Sequence, residues 1–69
     1  MNNKEASYNA CVASYCQMAL RAVDGIFVDT EFCKDLLTEE ELSRLEEIRG
    51  YLLTMYHSKM RKLEREGAL

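Results

Sequence analysis

The second half of the chain carries a helical pattern of apolar residues. Between residues 38 and 66 they recur in steps of three and four, which places them on one face of an α-helix. This stripe comprises Leu42, Leu45, Ile48, Leu52, Met55 or Tyr56, Met60 and Leu63. Thr38 and Glu41 have the spacing of a capping box, and Gly67 stands where a C′ glycine belongs. The pattern predicts a long helix over about 39–66.

The first half predicts a second helix, over about 4–24, with a much wider apolar face. On a wheel of 100° per residue its apolar positions cover roughly 220°, about twice what packing on one neighbouring helix requires. Within this arc, six residues step by 4, 3, 4, 3 and 4, as in a coiled coil. We call them the apolar seam: Tyr8, Val12, Tyr15, Ala19, Ala22 and Ile26.

The two helices predict an all-α fold, a helical hairpin formed by one domain over residues 1–69. Gly25 is expected to end the shorter N-terminal helix as its C′ residue, and residues 29–37 are expected to form a connector with a short helix. Because one hairpin leaves the wide face uncovered, we expect a homodimer with a four-helix core and the apolar seam as its interface. In the alternative, the short connecting helix covers part of that face in a monomer.

Composition narrows the possible classes of protein. The chain has 69 residues, of which 48% are hydrophobic, and no proline; a chain this short is marginally stable alone. No run reaches about 18 apolar residues, so we expect no membrane span. The odd number of cysteines, three, indicates reduced thiols and a cytoplasmic location.

Charge is unevenly distributed along the chain. The net charge is 0 over residues 1–28, −6 over residues 29–47 and +3 over residues 48–69, which gives −3 in total. We call residues 29–47 the acidic segment. The basic tip comprises Lys59, Arg61, Lys62 and Arg65. Because general nucleic-acid binding requires a dominant basic face, this distribution argues against it.

Candidate chemistry is sparse. Cys11, Cys16, Cys33 and His57 are the residue types of a Cys₃His zinc site, but Cys11 and Cys16 diverge by about 140° on a helix. Cys33 and His57 form a conceivable nucleophile and base, without a third residue to orient the base. We therefore expect no catalytic residue, no metal site and no cofactor, and a protein that is not an enzyme.

A partner-binding surface is the more promising candidate. An aromatic residue near arginines is typical of such surfaces. The candidate set, which we call the tip surface, is Tyr51, Ser58, Arg61, Lys62 and Arg65. The acidic segment is the competing candidate, and it would suit a partner with a basic surface.

In length and inferred hairpin architecture the chain resembles small phage and plasmid regulators, such as the phage anti-quorum-sensing proteins. The resemblance implies a protein that binds and inhibits a host transcription regulator. The alternative is a small nucleic-acid-linked co-regulator or an RNA- or DNA-binding hairpin. The segment from Leu37 to Leu42, Leu-Thr-Glu-Glu-Glu-Leu, is similar to part of the small nucleoid co-regulators of enteric bacteria. Salt-dependent nucleic-acid binding would distinguish this alternative.

Overall fold

The computed structural model describes residues 3–67 as two α-helices joined by a turn. Helix α1 spans Asn3–Phe32 and helix α2 spans Glu39–Arg65. The two helices pack against each other along their length, and residues 3–67 contain no strand. The predicted all-α helical hairpin is therefore confirmed.

The predicted ends of α2 are formed by local hydrogen bonds. The Glu41 N–H donates to the Thr38 hydroxyl at 3.1 Å, and the Thr38 N–H donates to the Glu41 carboxylate at 2.9 Å. This backbone hydrogen bond, with a further effect of the Thr38 side chain, lowers the pKa of Glu41. At the other end Gly67 has a φ of 69° and its N–H donates to the Glu64 carbonyl at 3.1 Å. The capping box and the C′ glycine are both confirmed.

Helix α1 differs from the sequence-based expectation. It does not end at Gly25 but continues to Phe32, so that α1 has 30 residues and α2 has 27. The expectation of a shorter N-terminal helix is wrong, and so is the expected short helix over 29–37. A C′ glycine requires a positive φ, and Gly67 is the one described glycine that has it. The chain instead reverses in a turn over residues 33–38, where the Leu36 N–H donates to the Cys33 carbonyl at 3.2 Å.

The hairpin has a small interior. Among the described residues the buried side chains are Ala13, Cys16, Val23 and Leu63. The chain measures 48 × 16 × 15 Å, with a radius of gyration of 15.3 Å, whereas a compact domain of this length has about 11 Å. A rod two helices thick exposes more surface than a sphere, so much of the apolar surface remains in solvent.

Candidate protein-binding surfaces

Helix α1 contacts α2 through a line of residues beside the apolar seam. Ala13, Cys16 and Val23 are buried in this contact, and Leu20 and Phe27 continue the line as half-buried residues. These five residues, the packing line, are each one position after a seam residue, or about 100° around the helix. The apolar seam therefore lies beside the contact between α1 and α2 and not at its centre.

Most of the apolar seam is open to solvent in the single chain. Tyr15 is 67% exposed, Tyr8 and Ile26 are also exposed, and Val12 and Ala19 are half-buried. The small side chain of Ala22 is exposed as well. The turn over residues 33–38 meets the seam at Ile26, which lies beside Leu37 around an open depression.

The opposite side of α1, its polar flank, is joined to α2 by hydrogen bonds. Gln17 Nε2 donates to the Tyr56 hydroxyl at 3.1 Å. Arg49 Nε donates to Asp24 Oδ1 at 2.9 Å, and this pair is also a salt bridge. The two cross-links pair residue 17 with residue 56 and residue 24 with residue 49. Residue numbers therefore fall along α1 as they rise along α2, which means that the helices are antiparallel.

Helix α2 adds apolar residues on the seam side. Ile48 and Met55, which the sequence assigns to the stripe of α2, are half exposed at 46% and 45%. Ile26 lies beside Leu45 and Ile48 around an open depression of about 470 Å³. Charged residues border this depression: Glu40, Glu41 and Arg44. The seam and the edge of α2 therefore form one continuous apolar side of the hairpin.

The structure brings together four of the five residues of the tip surface. They surround a shallow depression of about 320 Å³ together with Glu64. The four are Ser58, Arg61, Lys62 and Arg65. Tyr51 lies outside this depression, two helical turns before Ser58, and is 74% exposed. The basic groups form a cluster that includes a carboxylate, and Tyr51 is a separate aromatic group on the same helix.

The acidic segment is partly engaged within the chain. Glu47 accepts a hydrogen bond from Arg44 at 3.2 Å, in a surface ion pair. Glu46 lies beside Asp24, Phe27 and Arg49 around another open depression. Carboxylates therefore remain on the surface near the turn, but some have basic neighbours.

Sequence reasoning missed the exposure of Phe32. It is 86% exposed at the end of α1, the largest exposed fraction among the large apolar side chains described. The signal was present in the sequence: if α1 is continued past Gly25 at 100° per residue, Phe32 falls opposite the packing line. With Gly25 expected to end the helix, Phe32 fell outside the predicted helix.

The cysteines and the histidine lie in different places. Cys11 and Cys33 are exposed and Cys16 is buried. His57 stands in α2 next to Tyr56, at the level of Gln17, so Cys33 is roughly 24 Å away along the axis at 1.5 Å per residue. The structure does not bring Cys33 and His57 together. Residues 3–67 contain no group of three His, Cys, Asp or Glu side chains placed to hold a metal ion.

Helix α1 is long and apolar enough, by length and composition, to cross a membrane. The sequence led us to expect no such segment, because polar residues interrupt the apolar runs. The indication is weak, since a core helix or a signal sequence near the N-terminus passes the same test.

No protein-family model matches the sequence, and neither curated proteins nor solved structures give a significant match. The surfaces of the hairpin are therefore the basis for proposing a function.

Proposed function

We propose that this protein is a binding module that acts by occupying a surface of another protein, which it inhibits or modulates. The observation that carries the target site is the tip surface, where cationic side chains gather around one depression and Tyr51 is exposed on the same helix. The open apolar side of the hairpin, formed by the apolar seam with Ile48 and Met55, is the proposed surface for self-association. Large contiguous apolar surfaces on small proteins are typical of interaction sites. A hairpin with so small an interior gains stability when this side is covered.

The exposed area supports the need for a partner. The chain exposes 5428 Å², whereas a compact monomer of 8.0 kDa exposes about 4,450 Å². The excess, about 1,000 Å², is comparable to the ~800 Å² that each partner buries in a stable interface. The proposed occupant of the apolar side is a second copy of the chain, which gives a homodimer with a four-helix core.

The tip surface is the proposed site for the target protein. It lies on α2, whereas the packing line belongs to α1. It presents several cationic donors around one depression, with the Tyr51 ring available as an aromatic anchor. Arginine side chains bind carboxylates through two parallel hydrogen bonds. The target is accordingly a protein with exposed carboxylates, and the resemblance in length and hairpin shape to small phage regulators makes a host transcription regulator the proposed class.

Capture from a host lysate with matched variants tests this proposal. Tagged wild-type protein should retain a target that Arg61→Ala with Arg65→Ala loses. The control is Glu46→Gln with Glu47→Gln, which removes charge from the acidic segment and should retain the target. Circular dichroism establishes that each variant is folded. If the glutamine pair loses the target and the alanine pair retains it, the acidic segment is the binding surface and the tip surface is not.

Tyr51 provides a second arm of the same experiment. A rim charge pair contributes only ~0–1 kcal/mol, whereas a buried aromatic anchor contributes about 2 kcal/mol or more. Tyr51→Ala should therefore weaken capture more than either single arginine variant. Full capture by a chain that carries Tyr51→Ala together with both arginine substitutions would contradict the proposed site.

A further inference from the structure

The charges that border the apolar side differ between its two ends. At the open end of the hairpin, Lys4 Nζ stands 6.0 Å from the ring centre of Tyr8, and Lys62 lies two turns after Met55 on the same face of α2. At the turn end, Glu40 and Glu41 border the depression beside Ile26. The apolar side is thus flanked by lysines at one end and by carboxylates at the other.

Asp29 strengthens this asymmetry. It lies three residues after Ile26 in α1, which places it on the same face of the helix as the seam. Arg44 is the one basic side chain around the depression at that end. The acidic segment as a whole carries −6 and residues 48–69 carry +3, so the local asymmetry follows that of the whole rod.

We infer that two copies of the chain associate in antiparallel orientation through their apolar sides, so that the lysine end of each copy meets the carboxylate end of the other. The inference rests on the proposed homodimer and specifies its geometry. A parallel arrangement would place two acidic ends side by side, where like charges repel. The antiparallel arrangement instead gives complementary charges at both ends.

The positions along the helices agree with this geometry. The seam runs from Tyr8 to Ile26, so a two-fold axis across the rod lies at the level of residue 17 and brings α1 against α1 of the second copy. Tyr15 then faces Ala19 of the second copy and Val12 faces its Ala22, so that a larger side chain meets a small one in the middle of the interface. Tyr8 faces Ile26 at each end.

The same axis aligns one pair of charges. The hydrogen bond from Gln17 to Tyr56 puts these two residues at one level of the rod, so the axis at residue 17 crosses α2 near Tyr56. Lys4 of each copy then falls next to Asp29 of the other copy, and the charge pairing across the axis rests on these two residues. One broad side of the rod, with extents of 48 × 16 Å, leaves room for the ~800 Å² per partner of a stable interface.

Distance measurement between spin labels on Cys33 tests the orientation. Cys33 is exposed at the turn end, and Cys11→Ser removes the other exposed thiol while Cys16 is buried. Because Cys33 is sixteen residues from the axis level, two labels in an antiparallel dimer should be roughly 45–50 Å apart at 1.5 Å per residue. In a parallel dimer they would lie about 20–25 Å apart, two helix diameters, and this result would overturn the inference.

A second labelled variant separates failure of the orientation from failure of the dimer. Met18→Cys, with Cys11 and Cys33 replaced by serine, places the label near the axis level. It should give a short distance in a dimer of either orientation. If neither label gives a distance between chains and the mass is that of one chain, the proposed homodimer itself is wrong.

Charge reversal is an independent arm that needs no label. Lys4→Glu should raise the Kd of the dimer on the order of tenfold, because the two symmetry-related attractive pairs with Asp29 become repulsive. Adding Asp29→Lys should restore the wild-type Kd. Both side chains are exposed, and circular dichroism verifies folding. A Lys4→Glu variant that leaves the Kd unchanged, or a double variant that dimerises more weakly still, contradicts the antiparallel arrangement.

Discussion

The two sides of α1 are used differently. On the polar flank, Gln17 and Asp24 reach across to Tyr56 and Arg49 of the same chain. On the other side, Tyr8 and Tyr15 remain largely exposed although they follow the same helical spacing. The polar flank thus joins α1 to α2 through exposed hydrogen bonds, whereas the apolar surface of the other side is left for association.

The largest effect is expected from a charge placed in the apolar seam. Ala19→Glu should dissociate or unfold the dimer, because an unpaired charge buried in an interface costs about 3–5 kcal/mol. Ser14→Glu, on an exposed position away from the seam, is the matched control and should leave mass and melting unchanged. Light scattering and thermal melting measure both. If Ala19→Glu and Val12→Glu both behave like wild type, the seam is not an interface.

Truncation of an exposed seam aromatic should have the next largest effect. Tyr15→Ala should weaken the dimer by about 2 kcal/mol, since removal of a buried aromatic anchor has this magnitude. In a monomer the same substitution would change the free energy of unfolding little, because Tyr15 is 67% exposed there. Dimer dissociation constants from sedimentation distinguish the two cases. Phe32→Ala is the control, since that aromatic side chain is exposed and lies away from the seam on α1.

Loss of the helix cap tests the fold of the hairpin separately from its association. Thr38→Ala should lower the free energy of unfolding by about 1 kcal/mol, because the Glu41 N–H loses its acceptor. The stability of both chains should also depend on pH, since alanine keeps the backbone N–H that donates to Glu41. The pKa of Glu41 is lowered in the folded chain by its bond from the Thr38 N–H, so its contribution is complete above the ordinary pKa of a glutamate and is lost as the pH falls through the lowered value.

Chemical denaturation at several pH values checks this prediction. The Thr38→Ser variant retains a capping hydroxyl and should remain close to wild type. A Thr38→Ala chain as stable as wild type at neutral pH would show that the capping box contributes nothing measurable.

The smallest effect is expected on the polar flank. Asp24→Asn removes the ion pair with Arg49, whose two side chains are about half exposed, and such pairs contribute ~0–1 kcal/mol. Gln17→Ala likewise removes one exposed hydrogen bond. Both variants should dimerise normally and melt within a few degrees of wild type. If either variant lost as much dimer or thermal stability as Ala19→Glu, the roles assigned to the two sides would be reversed.

Much of the hairpin could be predicted because its signals are local. The capping box and Gly67 are adjacent in sequence to the helix end that each forms, and the apolar spacing of α2 needs no partner to be recognised. The end of α1 was misplaced because a glycine can either end a helix or continue it. Nothing lies within 4 Å of a side chain built on Gly25, so no close approach accounts for glycine there, and α1 continues past it.

The surfaces were less predictable than the helices. The apolar arc of α1 contains both the packing line and the apolar seam, and the two lines have the same spacing. Only the position of α2 distinguishes Cys16, which is buried, from Tyr15, which is exposed. The sequence predicts that Arg61 and Arg65 lie close together, because they share a helical face. The exposed position of Phe32 was not predicted, because it depends on how far α1 extends.

Sedimentation equilibrium of the wild-type chain over a concentration series tests whether a second copy covers the apolar side of the hairpin. We predict a mass of about twice 8.0 kDa at micromolar concentration, since the open side of the hairpin is then covered by a second copy. A single chain mass at ~100 μM, together with a cooperative thermal melt, would show that the hairpin is stable with its apolar side in solvent and would contradict the account.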